Sequence, residues 1–94
     1  MKKYVLLYET AEDVLEKAPA HFGGHVARGN EFHAQGSLLM YWPFGDPRER
    51  SMAVSTSREA AVEFVENNPF VLNGVVRNWF IRAWDEAFVP VDGT

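Results

Sequence analysis

The chain has 94 residues, 47% hydrophobic and 23% charged, the balance of a chain that folds rather than one that stays disordered. Nine basic against 13 acidic residues leave a net charge of −4, and with no basic cluster to meet phosphates a nucleic-acid partner is disfavoured. The absence of cysteine rules out a disulfide framework, a thiol nucleophile and Cys-type zinc or iron-sulfur sites, and it points to the cytoplasm.

A chain this short reads as one domain over 1–94, with its core in about 3–86 and a tail at 87–94. Aromatic residues make up 14% of it, more than one small core hides, so some of them face a partner subunit or a ligand. The opening "MKKYVLLYETAEDV" has a charged start, but its apolar run stops at Tyr8 and acidic residues follow. It fails as a signal peptide, and no run reaches membrane-spanning length, so no membrane role is expected.

In chain order, "KYVLLYE" over 3–9 is short, β-branched and aromatic, with apolar side chains on both faces. It predicts a central strand. The first helix follows an irregular "EDVLEKA" lead-in, with Pro19 suited to its first turn and Gly36 to the position just past its end. "SLLMYWPF" over 37–44 predicts a second strand, which Pro43 places at an edge or a bulge. The turn "GDPRERS" leads to a short strand over 52–56. A second helix over 56–68 has Ser57 as its cap and Pro69 as its stop, and a last strand runs over 75–84.

The order β-α-β-β-α-β is the ferredoxin-like arrangement of the α+β class, in which two helices cover one face of a four-stranded antiparallel sheet. The last strand alternates Val75, Arg77, Trp79, Ile81 and Ala83 with Val76, Asn78, Phe80, Arg82 and Trp84, so both of its faces carry large apolar groups. A sheet with helices on one side leaves the other side wet. The apolar second face therefore predicts a homodimer packed sheet to sheet, or a larger symmetric assembly built from it.

All three histidines lie in "PAHFGGHVARGNEFHAQG", 19–36. On a wheel of about 100° per residue, His25 falls in the middle of the apolar stripe with Phe22, Gly29 and Phe32, whereas His21 and His33 fall at its edges. His25 is either a buried neutral histidine with a backbone partner or a pocket residue. Gly29, one turn on, favours the pocket because it removes side-chain volume beside the imidazole. His21 and His25 have the i, i+4 spacing that chelates metals, but no cysteine or evident carboxylate completes a ligand set, so no metal is expected. The chain has no phosphate-cradling glycine loop and no serine elbow, so no nucleotide cofactor is expected either. Asp46 reads either as a turn residue bonded to its own backbone or as part of a pocket lining.

"HVARGNEFHAQGSLLMYWPFGDP" with "STSREAAVEFVENNPFVLNGVVRNWFIRAWDE" resembles the YCII-related family of small proteins, from about residue 3 to residue 86. The likeness rests on His25 and the following step to Arg28, on Gly36, Leu38 and Leu39 opening the second strand, and on Ser57 with Ala60 in the second helix. It continues through the Pro-aromatic step and Asn73-Gly74 to Trp84. The resemblance implies a dimeric α/β-barrel form of the ferredoxin-like fold and a small-molecule pocket served by a histidine and an aspartate. Among its relatives are enzymes that remove chloride from chlorinated hydroxyquinones.

Carried over, the histidine is His25, and Asn68 stands where the aspartate belongs. Asparagine accepts the imidazole hydrogen bond but brings no charge, so His25 should be a weaker base than an aspartate-paired histidine. Trp42-Pro43 also departs from the Gly-Pro usual in the family. The expectation is a lyase- or isomerase-like enzyme acting on a small cyclic or aromatic substrate. In it His25 is the general acid/base, Asn68 its orienting partner, and Trp42, Phe44, Asp46 and Phe70 contact the substrate. The alternative is a binding or accessory protein with the same pocket and no turnover.

Overall fold

The computed structural model describes residues 2–46 and 48–85, which form β1 (Lys2–Thr10), α1 (Val14–Ala34), β2 (Leu38–Pro43), β3 (Ser51–Ser55), α2 (Arg58–Glu66), α3 (Pro69–Leu72) and β4 (Val76–Asp85). The four strands make one antiparallel sheet in the order β2-β3-β1-β4. This is the ferredoxin-like α+β fold. β1 is internal, as its doubly apolar pattern predicts, and the Pro43 strand lies at an edge, where a missing N–H costs no ladder bond. The tail at 87–94 lies outside the described residues.

The register fixes which side chains share a face, because directly paired residues of antiparallel strands point the same way. One set of rows faces the helices: Pro43, Ser51, Tyr8 and Trp79 across the sheet, then Tyr41, Ala53, Leu6 and Ile81. Leu6, Ala53 and Ile81 join Phe32 from α1 and Ala61, Phe64 and Val65 from α2 in the buried core. The opposite face carries Trp42, Met52, Leu7 and Phe80 in one row across all four strands. Of the described helices, α1 reaches that row at Trp42, whose ring meets Phe22 edge-on at 6.4 Å. Met40, Trp42 and Trp84 are among the large apolar residues left exposed.

α1 starts at Val14, five residues earlier than the proline suggests, and Pro19 sits inside it rather than in its first turn. An exposed proline near a helix start forfeits one backbone bond. The chain accepts that loss because Val14, Ala18, Phe22, His25, Gly29 and Phe32 continue one stripe at helical spacing. The end of α1 is as expected. Gly36 has φ +80°, and the amides of Gly36 and Ser37 bond back to His33 and Phe32 at 2.9 and 3.0 Å, a glycine-terminated cap.

α2 begins on Ser57, whose Oγ accepts the Ala60 N–H at 3.1 Å, and it ends at Glu66. Pro69 therefore does not stop this helix but opens the next one. In α3 proline takes the first position, where no N–H is needed, and Asn68 is the cap. Arg28 ties the layers together: its Nε donates to Phe64 O at 3.0 Å and its Nη2 to Glu63 O, placing a cation at the C-terminal end of α2.

Candidate functional site

His25 enters from the middle of α1 into an aromatic box. Phe70 of α3 stacks on the imidazole with centroids 4.1 Å apart and planes 8° from parallel, and Tyr41 of β2 stands edge-on at 5.5 Å. Phe64 closes a further side at 6.4 Å. Gly29 does not leave empty space beside the ring, as its small size suggests, because the Tyr41 hydroxyl occupies that space. Gly24 has a related role, since a Cβ there would lie 3.1 Å from the Pro69 ring. The bare helix surface at Gly24 lets α3 come close enough to deliver Asn68 and Phe70 to His25.

Asn68 is fully buried, and its Oδ1 accepts the Phe70 backbone N–H at 3.0 Å. That bond identifies the atom as oxygen, because an amide nitrogen in its place would set two donors against each other. His25 Nδ1 lies 3.0 Å from the same Oδ1. Nδ1 therefore carries the proton, and in the neutral ring Nε2 holds the lone pair. Burial pushes the His25 pKa below its ordinary value, with the Asn68 bond acting the other way. At neutral pH the ring is an uncharged base.

Beside His25 lies a cavity of about 480 Å³, a volume suited to a small organic molecule. Its floor is the sheet row of Tyr8, Ser51 and Pro43, and one wall is the first half of α1, with Val14, Ala18 and Phe22. Phe70 and Tyr41 flank the imidazole. Most of the lining is apolar.

Of the residues singled out in the sequence, the structure brings His25, Trp42 and Phe70 to this cavity and sets Asn68 behind His25. Trp42 stands at the mouth, its ring edge-on to Phe22 at 6.4 Å. Phe44 lines a smaller neighbouring hollow at the β2 edge instead. Asp46 is in neither lining. Its carboxylate turns back to accept from the Arg48 backbone N–H at 2.9 Å and from the Arg48 guanidinium, which holds its pKa below the usual carboxylate range. Glu63 and Glu66 are exposed on α2, and Asn68 is the side chain bonded to the His25 imidazole. Among the described residues no cluster of three or more His, Asp or Glu side chains is placed to hold a metal.

The fold is shared with solved structures. The 5-chloro-2-hydroxyhydroquinone dehydrochlorinase of Burkholderia phenoliruptrix superposes with a TM-score of 0.74 at 17% identity, over 90% of this chain and 95% of that one. A putative antibiotic biosynthesis monooxygenase from Nitrosomonas europaea gives 0.59 at 10% identity, over 94% and 100%. A protein from Agrobacterium tumefaciens gives 0.58 at 13%, over 93% and 94%. These likenesses show the ferredoxin-like fold. No family model and no curated relative matches the chain.

Sequence reasoning missed Val14, Leu15 and Ala18, because Pro19 masked the start of their helix, although Val14, Ala18 and Phe22 already had i, i+4, i+8 spacing. Tyr8 and Tyr41 both pack with the core and line the cavity. Nothing in their local pattern separates a cavity lining from a packed interior. No described helix is long and apolar enough to cross a membrane.

Proposed function

We propose that this chain is a YCII-related, homodimeric protein whose cavity takes a small cyclic or aromatic molecule, with His25 as the general acid/base of a lyase- or isomerase-like reaction. The observation that carries this reading is the bond from His25 Nδ1 to the Asn68 oxygen, itself held by the Phe70 amide. It commits Nδ1 to donating and leaves the basic Nε2 for a ligand in a cavity whose apolar walls suit a planar ring. Removing a proton from a ring hydroxyl or carbon and returning it elsewhere is the chemistry such a base performs. In a dehydrochlorinase-like substrate the electrons released by that step expel chloride.

A second reading, binding without turnover, draws on the uncharged partner. An aspartate at 68 would stabilise the imidazolium formed when His25 takes a proton, whereas asparagine supplies only a dipole. The two readings separate on incubation with 5-chloro-2-hydroxyhydroquinone, followed by ion chromatography for chloride, alongside fluorescence titration with 2,5-dihydroxybenzoquinone. Chloride release that His25→Ala abolishes supports the enzyme. Quinone binding without release supports the binding protein. If neither occurs, hydroxyquinones are not the ligand class.

A further inference from the structure

None of the chain's nine lysines and arginines is among the residues lining the cavity, and neither is any described aspartate or glutamate. The two cations of α1, the helix that forms one wall, are engaged elsewhere: Lys17 with Asp13 at 3.3 Å, and Arg28 with the carbonyls of Glu63 and Phe64. Ser51 and Tyr41 bring hydroxyls to the lining, which are dipoles without charge, and His25 brings its imidazole. The bond from His25 Nδ1 to Asn68 Oδ1 leaves Nε2 with a lone pair. Nε2 has no protein partner among the described residues, yet it is not one of the two unpartnered atoms sealed from solvent, the Tyr8 hydroxyl and Asn68 Nδ2. It opens on the cavity that His25 lines.

We infer that the site takes its ligand as a neutral hydroxyl compound that donates a hydrogen bond to His25 Nε2, and that it discriminates against the ionised form of the same molecule. This rests on the reading of the cavity as a small-molecule site and adds the protonation state in which the ligand arrives. An anion in the cavity gives up hydration with no cation to replace it, and its lone pairs meet the lone pair of Nε2. Turning His25 into an imidazolium would supply a cation, but burial opposes that charge and Asn68 brings no counter-charge. A ring of the same shape whose oxygen carries no proton fits the apolar walls but leaves Nε2 unpaired. The selected form is also the one that still holds the proton a general base removes.

One ring in three forms tests this: para-nitrophenol, its phenolate, and para-nitroanisole, in which a methyl replaces the proton. The phenol and the phenolate absorb at different wavelengths and interchange near neutral pH, so a half-ionised solution reports which form is bound. Adding the wild-type protein should deplete the phenolate band, with the neutral form bound about tenfold or more tightly than the phenolate. By NMR titration para-nitroanisole should bind about three- to tenfold more weakly than neutral para-nitrophenol, and in His25→Ala the two should bind alike. The absorbance readout needs no variant, so it holds even if His25→Ala fails to fold. If the phenolate band grows or stays unchanged while the His25 and Phe70 resonances move with ligand, the inference is overturned and the cavity reading stands. Equal binding of para-nitroanisole and neutral para-nitrophenol to the wild type overturns it in the same way. If none of the three forms perturbs His25 or Phe70, both are overturned.

Discussion

The oxygen of Asn68 that orients the His25 imidazole is the same oxygen that caps α3, so the imidazole and a local helix are held by one atom. The arrangement ties the reactivity of His25 to the stability of α3. Replacing Asn68 by alanine strands both the Phe70 N–H and the His25 Nδ1–H in the interior. The expected loss is about 2–4 kcal/mol, from a lost cap and a buried donor without a partner. Urea denaturation of Asn68→Ala measures it; a loss below about 1 kcal/mol would mean that the shared oxygen supports neither element.

Asn68→Asp separates the two duties. The carboxylate still caps α3, but it adds a negative charge beside the imidazole, so the pKa of His25 should rise by about 1 or more. The aspartate also replaces the unpartnered Nδ2 with an oxygen. Histidine ring titration by NMR reads the change directly. An unchanged His25 titration would show that the two residues are not coupled in solution.

In the wild type, burial lowers the folded-state pKa of His25 below its ordinary 6.5, so just below that pH the unfolded chain binds a proton that the folded chain refuses. Stability from this group is therefore complete above about pH 6.5 and falls as the pH drops through the lowered folded value. The slope is at most about 1.4 kcal/mol per pH unit. Carboxylates add their own acid dependence, and comparison with His25→Gln removes it. Between about pH 7.5 and about pH 5 the wild type should lose more stability than the variant. Equal losses would place His25 in contact with water.

How much of this was legible in the sequence differs from element to element. The order of strands and the central place of β1 follow from hydrophobic patterning, which reports burial on each face. The His25 to Asn68 contact came from a family likeness spanning 43 positions, since no local pattern joins residues that far apart. α3 was not legible, because "NPFVL" is too short for helical periodicity to register, although an Asn-Pro pair is a good cap and first residue. Asp46 was open to two readings for a different reason. A turn aspartate bonded to its own loop looks the same in sequence as one aimed at a ligand.

The glycines of α1 give a graded test of close packing. A Cβ at Gly23 would meet nothing within 4 Å, so Gly23→Ala should stabilise the fold by about 0.5–1 kcal/mol through helix propensity. At Gly24 the same gain is set against a 3.1 Å approach to the Pro69 ring, and the change should be near neutral. At Gly29 the new methyl overlaps the Tyr41 hydroxyl, whose ring is fixed against His25 and Phe64, and overpacking should outweigh propensity by about 1–2 kcal/mol. Thermal melts should rank Gly23→Ala above Gly24→Ala above Gly29→Ala. Any other order would contradict the packing of α1 on α3 and β2.

The second sheet face makes the last prediction. Trp42, Met52, Leu7 and Phe80 form an apolar row across all four strands, with Trp42 61% exposed. A two-fold dimer through this face sets each row against its own copy, and burying one such large side chain contributes about 1.5–3 kcal/mol. Leu7 sits on an internal strand in the middle of the row, so Leu7→Glu places like charges opposite one another at the centre of the interface. The wild type should sediment as a dimer at micromolar concentration, and Leu7→Glu as a folded monomer with unchanged circular dichroism. A wild-type monomer, or a Leu7→Glu dimer, would rule out pairing through this face. Trp42 extends the consequence to the site, because it belongs to the row and also stands against Phe22 at the cavity mouth. Freed from the partner, that wall loses its backing. Leu7→Glu should therefore weaken ligand binding, although Leu7 is not among the residues lining the cavity.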